Sequence, residues 1–158
     1  MNVNCTICPK TLEDQEHIFR FCHGAKGIWD YVYPTIKEIL KPKQFKIPDL
    51  IANNFPDNIS HNKKLMVTTI IQIALHRIWL NRNHILYDKM NYKTAITQGR
   101  QNIKYTFTTL ITKLFDEHTP NNIVRFSHTF CHTPTVCTIR RDTLSINLVH
   151  DHKSQLPP

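Results

Sequence analysis

Four residues near the start of the chain have the types and spacing of a metal site. They are Cys5, Cys8, His17 and Cys22, in the order Cys-x2-Cys-x8-His-x4-Cys. Two cysteines three positions apart fit a tight turn whose backbone amides can point at both sulfurs. A histidine and a third cysteine would follow from the end of a short helix. Three thiolates and one imidazole form the tetrahedral donor set that suits Zn2+. Four protein ligands leave no open coordination position, so the expected role is a structural clip. The filled centre would carry about −1 overall, and Glu13, Asp14 and Glu16 surround it. Two alternatives stand beside this reading: His23 is a rival fourth ligand, and free cysteines are often simply small buried hydrophobes. Two more cysteines, Cys131 and Cys137, make five in a chain of 158 residues. An odd count argues against a disulfide framework. His128, Cys131, His132, Cys137, His150 and His152 are a conceivable second group, but their spacing matches no metal site.

The donors must be held by the elements around them. On an α-helix, residues five apart differ by about 140°, so His17 and Cys22 cannot both face one ion from mid-helix. The helix through Ile18 and Phe19 is therefore expected to end near Phe21, with Gly24 as a stop signal. Beyond it, Ile28, Trp29, Val32, Tyr33, Ile36, Ile39 and Leu40 recur at helical spacing. Pro34 should kink or restart that helix, and the Trp29 stripe reads as core. Pro42, Pro48, Pro56 and Asn53-Asn54 mark 41–62 as loop, with one short helix at 48–54.

Residues 61–88 read as the longest helix. Met66, Val67, Ile70, Ile71, Ile73, Ala74, Leu75, Ile78, Trp79 and Leu86 cover about 240° of its circumference, as expected of a helix buried on several sides. Residues 92–117 carry a narrower stripe, Ile96, Gly99, Ile103, Phe107, Leu110 and Leu114, which fits antiparallel packing on the long helix. In the tail, 145–150 alternates enough to pair with 135–140 as a short hairpin; an unstructured tail is the other reading. The fold class expected is mainly α: a small Cys3His knuckle and a bundle of three to four helices. The divisions expected are 1–60, 61–118 and a weakly structured 119–158.

One stretch resembles a known family. Cys5-Thr-Ile-Cys8, then Glu16-His17-Ile-Phe-Arg-Phe-Cys22-His-Gly-Ala25-Lys26-Gly-Ile28-Trp29, is similar to the zinc-binding region at the C-terminal end of non-LTR retrotransposon reverse transcriptases. A second element, Trp79-Leu-Asn-Arg82-Asn83, resembles the helix that follows that knuckle. The likeness spans about residues 3–90. It implies Cys5, Cys8, His17 and Cys22 as zinc ligands, and a parent protein that handles element RNA and target DNA. The chain has no Asp-Asp pair, no polymerase palm and no endonuclease. It is therefore expected to be a remnant or fragment of an element, with a polymerase domain of the parent as a conceivable partner.

Charge divides unevenly. Residues 1–40 carry 4 Lys/Arg and 5 Asp/Glu, net −1; 41–115 carry 12 and 3, net +9; 116–158 carry 4 and 4. The positive field belongs to the middle segment, away from the knuckle, and suggests RNA or DNA as partner. Lys93, Arg100 and Lys104 lie within about 40° of one another on a helix. They are either a phosphate-tracking edge or cations whose stems cover the apolar seam. Arg82 could meet a phosphate, or with Asn83 it holds the helix against its neighbour.

Gly-x-Ser-x-Gly, His-Glu-x-x-His and Gly-rich phosphate loops are all absent, and no enzyme is expected. Without a signal peptide or a long apolar run, an intracellular site, nuclear or cytoplasmic, is expected, with no membrane association. A structural or protein-docking scaffold that binds no nucleic acid is the alternative function.

Overall fold

The computed structural model describes residues 4–116 and two strands further on, β1 (Cys137–Arg140) and β2 (Thr143–Ile146). The architecture is mainly α, with the knuckle preceding the helices. A π-helical turn at His17–Phe21 leads into α1 (His23–Leu40), α2 (Ile47–Ile51), α3 (His61–Leu86) and α4 (Tyr92–Asp116). The two strands pair antiparallel, Cys137 opposite Ile146 and Arg140 opposite Thr143.

The buried faces follow the sequence periodicity in α1 except at Tyr33, which is 40% exposed. Ile28, Trp29, Val32, Ile36, Ile39 and Leu40 are all in the core. Trp29 also donates its Nε1–H to the Phe19 carbonyl at 2.7 Å, tying the π-helical turn to α1. Pro34 does not restart the helix: α1 runs unbroken through it. Eighteen residues with one buried face outweigh a single missing N–H. α2 is shorter than expected and ends at Ile51. Asn53 then takes a left-handed φ of 61°, a conformation Asn adopts more readily than most residues.

α3 is the central helix, capped by Ser60, whose hydroxyl accepts from the Lys63 amide. Met66, Val67, Ile70, Ile71, Ile73, Ala74 and Ile78 are buried. The expected apolar circumference is too wide, however. Trp79 is 47% exposed and stacks on His76, with ring centroids 6.2 Å apart. Ile78 takes the core position; its neighbour, about 100° further round, faces outward.

α4 packs on α3 and α1 and buries Ala95, Gly99, Ile103 and Phe107, while Ile96, expected in the stripe, is half-buried against Gly27 of α1. The expected stripe frays at Leu110, which is 40% exposed, and the Leu114 side chain lies outside the described residues. Gly99 is required by close approach: a Cβ there would stand 2.6 Å from Asn81 Nδ2 and 3.0 Å from Ile28 Cδ1. One apolar core runs from Cys5 and Cys22 through α1 and α3 to Phe107. No helix among the described residues is long and apolar enough to cross a membrane.

Candidate metal centre

The knuckle begins as a tight reversal. The Cys5 amide donates to the Thr11 carbonyl and the Thr11 amide to the Cys8 carbonyl, both at 2.9 Å. Asn4 and Leu12 close the base as an isolated antiparallel bridge. This turn presents Cys5 and Cys8 from one side. Asp14 starts the other side: its carboxylate accepts from the His17 amide at 2.7 Å, and its carbonyl from the Ile18 amide at 3.0 Å.

The next turn resolves the five-residue problem. The Cys22 amide donates to the His17 carbonyl at 2.7 Å, five residues back. A turn widened in this way brings residues 17 and 22 closer to one face than an α-helical turn would. The helix does end at Phe21. Cys22 is extended (φ −61°, ψ 138°) and serves as N-cap of α1. Gly24 is therefore not a stop signal but the second residue of the new helix. A Cβ there would meet Ile7 Cδ1 at 2.9 Å, so glycine lets the knuckle loop lie against α1.

The result is a convergent donor set. The ligand atoms of Cys5, Cys8, His17 and Cys22 all lie within 4.8 Å of one another. Cys5 Sγ and Cys22 Sγ are 3.8 Å apart. Two sulfurs each about 2.3 Å from one ion at the tetrahedral angle would stand about 3.8 Å apart. His17 Nε2 is buried and has no hydrogen-bond partner. An orphaned buried polar atom costs about 1–3 kcal/mol, which a coordinate bond would remove. His23, the rival ligand, is exposed and outside the group.

Electrostatics point the same way. Burial pushes the Cys22 thiol up to about 12; Cys5 and Cys8 add to the rise and the Gly24 amide opposes it. Without a cation the Cys22 sulfur holds its proton. A divalent ion reverses this, because it binds the thiolates and displaces the protons. The four residues therefore fit a metal ion.

The basic residues fall into two kinds. The Arg82 guanidinium is paired with the Glu13 carboxylate, which joins α3 to the knuckle. Arg100 donates to the Gly27 carbonyl from Nε (3.1 Å) and Nη2 (2.9 Å), which joins α4 to α1. Lys93 and Lys104 are exposed on the outer side of α4. Sequence reading missed the clasp by Glu13 and the start signal from Asp14. An acidic residue in a metal loop and an arginine 69 positions away give no local sign of meeting. Of the second His/Cys group, His128, Cys131, His132, His150, His152 and the Cys137 side chain lie outside the described residues.

No protein-family model matches the chain, and neither curated proteins nor solved structures yield a match.

Proposed function

We propose that this protein is a non-catalytic module clipped by a structural Zn2+, derived from the zinc-binding region of a retrotransposon reverse transcriptase, and that it binds RNA or DNA. The observation that supports the metal role is the convergence of Cys5, Cys8, His17 and Cys22 around the orphaned His17 Nε2. Three thiolates and one imidazole favour Zn2+ over hard cations, and a full set of protein donors suits a clip. The ion would supply folding free energy to a segment with little apolar core of its own.

The nucleic-acid role rests on α3 and α4. Together they contain no Asp or Glu before Asp116, the last residue of α4. The outer side of α4 presents Lys93, Thr97, Gln98, Gln101, Lys104 and Tyr105 to solvent. Lysines, hydroxyls and amides are the groups that meet phosphate and sugar, and a surface without carboxylates does not repel a phosphate backbone. Arg82 and Arg100 are assigned to holding the fold.

Binding to a generic RNA hairpin should weaken linearly on a log–log plot against salt. The double variant Lys93→Glu/Lys104→Glu should lower affinity and flatten that slope by about 1–2. Unchanged affinity would favour the second reading, a protein-docking scaffold. That reading has its own support: a groove of about 530 Å3 lined by Phe19, Ile51 and Leu75 and rimmed by Glu16 and Arg20.

A further inference from the structure

A small, partly open space with room of about 20 Å3 lies between the metal centre and the helices. Cys5, Cys22, Glu13, Asn81 and Arg82 line it, and most of its remaining wall is apolar. That volume is enough for one water molecule. Arg82 Nε, on the lining of this space, is buried without a partner; the other unpartnered donor of α3, Asn81 Nδ2, lies over Gly99 of α4. Asn81 is itself only 6% exposed. The Nη2 of Arg82 is bonded to Glu13 Oε1, which holds the guanidinium beside the knuckle.

Thiolate sulfurs are the acceptors such donors require. A metal-bound thiolate keeps lone pairs, and groups that hydrogen-bond to metal ligands orient them and tune the ion's affinity. The charges demand the same. Zn2+ with three thiolates and a neutral imidazole carries −1, and Glu13 adds a second negative charge beside it. Among the described residues, Arg82 is the one cation lining the space. Its pKa is raised most by the bond to Glu13, against the effect of burial, and Cys5 adds to the rise.

Taking the metal reading above as its basis, we propose that Arg82 is the cation that balances the metal centre. Clamped by Glu13, it supplies hydrogen bonds to the Cys5 and Cys22 sulfurs, directly or through one water in the shared space. This goes beyond clasping the knuckle to α3, because it predicts that the metal itself responds to Arg82.

The test uses the full chain with Zn2+, and with Co2+ as a spectroscopic probe. Three variants are compared: Arg82→Gln, Arg82→Lys, and the double variant Glu13→Gln/Arg82→Gln. Arg82→Gln should bind metal about 10–100-fold more weakly. Its sulfur-to-cobalt charge-transfer band should move to lower energy, because a sulfur stripped of hydrogen-bond donors holds its electrons less tightly. Arg82→Lys should recover part of the affinity. The double variant leaves no stranded buried carboxylate, so it keeps the fold testable; its affinity should stay low and its band shifted. Return of both to wild-type values in the double variant would overturn the proposal, since Arg82 would then serve Glu13 alone. If the wild-type chain takes up no metal, the metal reading fails and the proposal with it. If it takes up one equivalent and all three variants match it, only the role of Arg82 fails.

Discussion

Between Asn4 and Cys22, the only fully buried side chains are Cys5, His17 and Cys22, three of the four residues that could hold a metal ion. Ile7, Ile18 and Phe19 are half-buried, while Leu12 and Phe21 face solvent. The α3–α4 pair is built the other way. Met66, Val67, Ile70, Ile71, Ile78, Ile103 and Phe107 are buried along it with no donor set among them. Each such side chain contributes about 1.5–3 kcal/mol by leaving water. The difference shows two sources of order in one small chain. The helices are held by apolar area; the knuckle has little core of its own, and on the proposed reading it would depend on the ion its four residues could hold.

The largest test of that contrast is Cys22→Ser. Metal uptake should fall from one equivalent to none, forfeiting a binding free energy on the order of 10–16 kcal/mol as measured for structural zinc peptides. Hydrogen exchange should then accelerate across residues 4–22 while α3 stays protected. Loss of protection in α3 to the same extent would erase the division. Phe107→Ala, at 1% exposure, should cost about 3–5 kcal/mol in denaturant unfolding. Because its effect lies in the helical core, the cost should be similar with and without a chelator.

Gly99→Ala sharpens the helical side of the comparison. Its methyl would press on the Asn81 amide and Ile28, and overpacking of this kind costs about 1–3 kcal/mol. Calorimetry should show a lower Tm. The smallest effect belongs to Arg20→Ala. Arg20 and Glu16 form an exposed i,i+4 pair at 2.5 Å, and such pairs contribute less than about 1 kcal/mol. Metal affinity should not change, in contrast to Arg82→Gln.

The donor set was legible because ligand type and short spacing survive any local geometry. The turn between His17 and Cys22 was not, because the argument from about 100° per residue holds only for an α-helix. A π-helical turn needs no different residues, only one extra residue within the hydrogen-bonded ring. The same limit explains Gly24. Glycine marks helix ends by its backbone freedom, but here it is needed for the closeness of Ile7, a contact across the fold. Arg82 and Arg100 were placed correctly on their helices by periodicity. Their partners, Glu13 and Gly27, stand 69 and 73 positions away, and periodicity does not reach so far. Trp79 reads as core because a single helix pattern does not reveal which sides its neighbours cover.

The central claim is that metal orders the knuckle. Its most direct test is hydrogen exchange of the wild-type chain, followed by mass spectrometry, before and after stripping with a strong chelator. The account predicts one zinc per chain before stripping. Afterwards, protection should be lost across residues 4–22 and largely retained in α3. Full protection of residues 4–22 in the stripped protein would contradict it.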